Sequence, residues 1–145
     1  MIFEHPPENF KSEFEVVTCY VIVNGQYLMV KRSEIEKYPN LWCAPGGKIE
    51  KGETKKQALI REFIEETSIK LDIEKLKFIK TMYVRYPEFD FIYNVFKTEL
   101  NEIPKIILND EQEDYVWVTP KEALSYDLVP DEEESIRIAF NLKEL

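Results

Sequence analysis

The chain is short of the residues that build covalent or metal frameworks, with two cysteines, one histidine and four glycines among 145 residues. Cys19 and Cys43 stand in apolar or aromatic surroundings without CxxC spacing, which argues against a disulfide framework and a zinc site and predicts two buried free thiols. No apolar segment approaches the ~20 residues that a membrane-spanning helix needs, and no N-terminal stretch joins a basic start to an apolar run of signal-peptide length. A soluble, cytoplasmic protein without a membrane partner is the expectation. Basic residues are outnumbered too: 19 Lys and Arg against 28 Asp and Glu give a formal net charge of -9. That balance opposes attraction to polynucleotides and anionic membranes. It does not oppose a small polyphosphate, because a divalent cation held by clustered carboxylates inverts the local field.

What is present suits one domain: 44% hydrophobic and 13% aromatic residues are enough to bury a core at this length. Residues 1–12 are polar, carry His5, Pro6 and Pro7, and read as an N-terminal arm before a single domain over 13–145. Residues 14–23 and 27–30 are β-branched and aromatic, and Asn24-Gly25 between them predicts a tight hairpin. Residues 77–86 and 89–98 read as strands joined at Pro87-Glu88, with Phe89, Phe91, Tyr93 and Val95 on one face, and 115–118 reads as a short strand. Thr54 with Gln57 forms a capping-box pattern ahead of Ala58, Leu59, Ile60, Phe63 and Ile64, so a helix is expected from there to about Ser68. Thr119 and Asp131, each with a glutamate three residues on, predict two later capped helices. Irregular interleaving of strands and helices favours an α/β fold in which helices sandwich a mixed sheet.

Glu62, Glu65 and Glu66 fall within roughly one third of the first helix's circumference, nearly opposite Leu59, Ile60, Phe63 and Thr67. Glu62 has like-charged neighbours at i+3 and i+4, each repulsion costing about 0.2–0.5 kcal/mol, and the pattern places no basic residue at helical contact distance on that face. A divalent cation would relieve the repulsion. Mg²⁺ prefers hard oxygen ligands and keeps several waters, so two or three carboxylates plus substrate phosphates would satisfy it. The plain alternative is a solvated acidic face.

The surrounding residues decide between these. From Gly47 the sequence reads Gly-Lys-Ile-Glu-Lys-Gly-Glu-Thr-Lys-Lys-Gln-Ala-Leu-Ile-Arg-Glu-Phe-Ile-Glu-Glu-Thr-Ser-Ile. It resembles the Nudix box, G-x5-E-x7-R-E-U-x-E-E-x-G-U with U a bulky apolar residue, at Gly47, Glu53, Arg61, Glu62, Phe63, Glu65, Glu66 and Ile69. Six fixed identities give a chance match on the order of 10⁻⁶ per window. The resemblance implies a Nudix-like α/β/α sandwich with a catalytic loop-helix-loop. It also implies a Mg²⁺-dependent hydrolase, Mn²⁺ substituting, that cuts a phosphoanhydride bond in a nucleoside triphosphate or a related nucleoside diphosphate derivative. ADP-ribose or a nucleotide sugar is the enzymatic alternative, and a Nudix-like nucleotide-binding module without turnover is the alternative from another class. The resemblance puts the metal at the Gly47 carbonyl and the carboxylates of Glu62, Glu65 and Glu66, with Glu53 and Arg61 as a supporting ion pair. A further glutamate from a later loop is expected as ligand or general base. Glu111 is the choice within 110–114, with Glu113 the alternative, and Glu62 competes with Glu111 for the role of base. A small nucleotide is the implied partner, and a homodimer is the family-level expectation. The one departure is Ser68 where the box has its last glycine, which puts the helix-ending turn in question but removes no acidic oxygen.

Candidates for base stacking outside the box are Tyr20, Tyr83, Tyr86, Phe89 and Tyr93, while Lys31 and Arg32 at the hairpin's end are candidates for phosphate contact.

Overall fold

Turns where the sequence places Asn-Gly and Pro-Glu set the element order in the computed structural model, which describes residues 1–142. The order is β1 (Ile2–Phe3), β2 (Ser12–Val23), β3 (Gln26–Arg32), β4 (Trp42–Cys43), β5 (Gly46–Lys48), α1 (Lys55–Thr67), β6 (Lys77–Arg85), β7 (Asp90–Glu99), β8 (Gln112–Val118), α2 (Pro120–Ala123) and α3 (Glu132–Ala139), with a short 3₁₀ turn at Ile73–Lys75. Asn24 and Gly25 carry φ of 50° and 78°, the paired positive values that a primed hairpin turn requires. The strands form one mixed sheet in the order β1-β6-β7-β2-β3-β4, with β5 added to β2 and β8 to β3. The pairing of β2 with β7 is parallel and the other strand pairings are antiparallel.

β2 alternates its side chains between two cores. Val17, Cys19 and Val21 meet Ala58, Leu59 and Phe63 of α1, and Tyr20 on the other face meets Met82, Val95 and Ile136 of α3. Helices therefore cover both faces, and the α/β sandwich expected from the sequence is the fold that forms. Both cysteines are free; Cys19 is buried and Cys43 half-buried.

One departure from regular pairing creates the site. β2 and β3 pair only beside their turn, at Ile22↔Tyr27 and Val23↔Gln26, and then diverge. β5 occupies the edge of β2 (Val16↔Lys48, Val17↔Gly47, Thr18↔Gly46), and β4 pairs with β3 at Val30↔Cys43 and Lys31↔Trp42. This places Gly46 and Gly47 against α1. A Cβ at Gly46 would collide with the backbone of Val17 and Thr18, and one at Gly47 would collide with the carboxylate of Glu62.

Two local expectations need correction, and a third is met by a shorter element. The stretch read as an arm enters the sheet at its start, with Ile2 paired to Val84 and Phe3 to Tyr83 and Ile2 buried; two residues are too few to show strand periodicity in sequence. The capping box at Thr119 and Glu122 forms but caps a single turn. Asp131 does not cap α3: it sits at φ 69° with no side-chain bond to the helix. Glu132, Glu133 and Glu134 in the first turn still suit the positive end of that helix.

Candidate active site

α1 starts on a complete capping box. Thr54 Oγ1 accepts from Gln57 N at 3.1 Å and Gln57 Oε1 accepts from Thr54 N at 2.9 Å. It ends at Ser68, which holds the left-handed φ of 65° that glycine would adopt easily. The serine hydroxyl donates to Ile107 O at 3.0 Å, which offsets part of that strain and ties the helix end to the 101–111 loop. Ile107 N–H to Thr67 O, at 3.0 Å, adds a second tie.

With both ends fixed, α1 turns its acids toward a cleft of about 580 Å³ lined by Gly46, Gly47, Arg61, Glu62, Glu65, Glu66 and Glu111. Arg61 donates Nε–H to Glu53 Oε2 at 2.7 Å and Nη2–H to Glu53 Oε1 at 2.9 Å, a bidentate fork that also reaches Lys48 O at 3.0 Å. The loop before the helix is thereby fastened to it. Strong donation from Arg61 lowers the Glu53 carboxyl to about 2. The remaining nitrogen, Nη1, contacts Glu62 Oε1 at 2.8 Å and Glu65 Oε2 at 3.3 Å. This corrects the expectation that no basic group serves the acidic face, because the Arg61 side chain folds back along its own helix. Glu62 and Glu65 are therefore held by one guanidinium nitrogen.

Glu66 is placed differently. It is buried, at 4% exposure, with Oε2 accepting from Gly46 N at 3.0 Å and Oε1 from Gln112 Nε2 at 3.0 Å. Burial first and then the charge of Glu62 push its carboxyl up to about 8, against these two donors. Burial also raises Glu62, helped by Glu65 and Glu111, and raises Glu111, helped by Glu36 and Glu65. Three carboxyls in one cleft thus resist ionising together, which is the condition a dication reverses. Their hard oxygens, with the side-chain-free backbone at Gly47, suit Mg²⁺ or Mn²⁺. Among the described residues no group of three or more Asp, Glu, His or Cys side chains is drawn together closely enough to hold a metal ion by itself; Mg²⁺ needs only one or two carboxylates beside waters and phosphates.

Of the two loop acids, Glu111 lines the cleft, whereas Glu113 turns outward to pair with Lys31 Nζ at 3.1 Å. Lys31 is thus engaged away from the cleft, while Arg32 lines it and bonds Lys37 O and Glu36. Ile2, Val84, Tyr86, Phe91, Tyr93, Val129 and Pro130 form the cleft's other end, with Glu132 among them. Tyr86 and Tyr93 are therefore where stacking candidates were expected. Tyr20 is not: it is wholly buried with its hydroxyl 2.9 Å from Ser135 Oγ. Tyr83 packs on Phe10, and Phe89 lines a separate hollow with Arg85 and Asp90. Sequence reasoning missed Phe91, Gln112 and Glu132. Glu132 is 4% exposed, accepts from Ala44 N at 3.3 Å and is raised by burial to about 7.

Residues 13–138 match the NUDIX domain family. A nucleoside triphosphatase NudI from Salmonella agona is 35% identical over 123 residues, covering 77% of this chain and 86% of that protein. The solution structure of the E. coli ORF135 protein superposes with a TM-score of 0.76 at 24% identity over 95% of each chain. A bifunctional NMN adenylyltransferase/ADP ribose pyrophosphatase from Francisella tularensis, complexed with AMP and a Mn ion, superposes with a TM-score of 0.74 at 31% identity over 92% of this chain and 42% of its own. The box on α1, the matched residues and the shared fold together place this chain in the Nudix family of hydrolases, which act on pyrophosphate bonds.

Proposed function

We propose that this protein is a pyrophosphohydrolase of nucleoside triphosphates or related nucleoside diphosphate derivatives, with the phosphates at the acidic end of the cleft and the base at the aromatic end. The observation that carries the reading is that polarity: one continuous cleft has Glu62, Glu65, Glu66 and Glu111 at one end and Tyr86, Phe91 and Tyr93 around Glu132 at the other. The 35% identity to a nucleoside triphosphatase supports the triphosphate assignment.

Glu62, Glu65 and Glu66 with the Gly47 carbonyl would hold Mg²⁺, for which Mn²⁺ substitutes. When bound, the ion would supply charge neutralisation at the phosphates and lower the pKa of a bound water. The Arg61–Glu53 fork keeps loop and helix in register, so the acidic oxygens stay in place through the reaction. Glu111 is the proton acceptor for the attacking water. It lines the cleft, and among the described residues its carboxylate has no hydrogen-bond or ion-pair partner, whereas Glu62 is committed to Arg61. At the other end, Tyr86 and Phe91 present aromatic surface to the base and Glu132 presents a carboxyl edge.

A second reading, ADP-ribose or nucleotide-sugar hydrolysis, draws support from the 31% identity to the Francisella protein. One experiment separates them: turnover with Mg²⁺ on a panel of nucleoside triphosphates, dinucleoside polyphosphates, ADP-ribose and nucleotide sugars, with products identified. Nucleoside monophosphate plus pyrophosphate from a triphosphate is the expected result. Preference for ADP-ribose moves the assignment to the second reading, and no turnover on the whole panel leaves a binding module.

A further inference from the structure

Glu66 differs from its neighbours in how it is held. Glu62 and Glu65 share one charged guanidinium nitrogen of Arg61. Glu66 receives one neutral donor on each oxygen, Gly46 N–H on Oε2 and Gln112 Nε2–H on Oε1, both at 3.0 Å. Neutral donors fix the direction of the two oxygens without supplying a counter-charge, so compensation of the carboxylate is left to a cation.

Gln112 is brought there by an irregularity in the sheet. β8 pairs with β3 as Lys31↔Asp114 and then Arg32↔Gln112, a shift that leaves Glu113 as the extra residue. A bulge of this kind re-aims side chains beside a site. Here it turns Glu113 outward to Lys31 and Gln112 inward to Glu66. Gln112 is itself 6% exposed, and its Oε1 is buried without a hydrogen-bond partner. A glutamine retained for packing would not leave an acceptor orphaned, since buried polar atoms are nearly always paired. The donor end is what orients this amide.

We infer that Gln112 is a positioning residue that, with the N–H of Gly46, aims both oxygens of Glu66 and so sets the affinity of the acidic end for a divalent cation. The inference rests on the metal-site reading given above. It is tested by replacing Gln112 with methionine, which keeps length and loses the donor, and with asparagine, whose amide is one methylene short of Glu66. Mn²⁺ binding to the free protein, without nucleotide, is followed by electron paramagnetic resonance well below each variant's melting temperature. The dissociation constant is expected to rise about 10–100-fold in both variants, as for other outer-shell partners. The Mn²⁺ concentration for half-maximal turnover should rise in step, while the nucleotide KM at saturating Mn²⁺ stays within a few-fold. Unchanged Mn²⁺ affinity in a folded Gln112→Met or Gln112→Asn protein overturns the inference alone. Failure of the unaltered protein to take up Mn²⁺ overturns the metal-site reading and the inference with it.

Discussion

The two ends of the cleft are built in opposite ways. At the acidic end, Glu62, Glu65, Glu66 and Arg61 come from one helix and Glu53 from the loop just before it, within fourteen consecutive positions of the chain, and Glu111 is added from a later loop. At the aromatic end, Ile2, Val84, Phe91, Tyr93, Pro130 and Glu132 come from four separated stretches that meet only in the fold. The first end carries charge, and its acids resist ionising together; the second offers apolar surface with one buried carboxyl. The contrast teaches that reaction type can be written in a contiguous motif while ligand identity is assembled tertiarily, so each end should fail in its own way when altered.

The largest effect belongs to the acidic end. Glu62→Gln should lower kcat by more than about 100-fold, beyond the usual cost of losing an outer-shell partner, with nucleotide KM little changed and circular dichroism unaltered. Retention of most of kcat in that variant would break the comparison at its stronger side.

Tyr86→Ala comes next. Loss of one stacked ring is worth ~1–3 kcal/mol, so KM should rise about 5- to 150-fold, with kcat at saturating nucleotide held within a few-fold. A variant that loses kcat instead would show that the two ends are not separable.

The third effect appears in stability and leaves turnover out of account. Burial disfavours the charge of Glu132 and pushes its carboxyl up to about 7 from an ordinary 4.5. A raised carboxyl favours folding in its neutral form, so this contribution is full below pH 4.5 and is lost as pH rises through about 7. The difference in unfolding free energy between the natural chain and Glu132→Gln should therefore change with pH, by at most about 3 kcal/mol between pH 4.5 and 8. Parallel melting curves across that range would show that Glu132 is not held neutral.

The same division decides what could be read in advance. The hairpin at Asn24-Gly25, the capping box at Thr54 and the acidic face of α1 are set by neighbours within a few positions, and each formed where its residues indicated. Glu111 and Glu113 could not be told apart, because the bulge that turns them is fixed by pairing with β3, eighty residues upstream. Tyr20 was misplaced because strand alternation gives two faces without saying which one meets a cleft. Gln112 and Glu132 went unseen since their partners, Glu66 and Ala44, lie 46 and 88 residues away.

The serine that replaces the box glycine also has a consequence for how the chain tolerates change. Because Ser68 and Thr67 grip Ile107, the segment bearing Glu111 and Gln112 is moored to the helix it serves. Residues 101–105 upstream of that mooring are mostly exposed and form no helix or strand, and Ile106 packs on the core beneath the helix. An insertion or an affinity tag placed ahead of Ile106 would be taken up before the anchor and leave Glu111 and Gln112 in place against the helix.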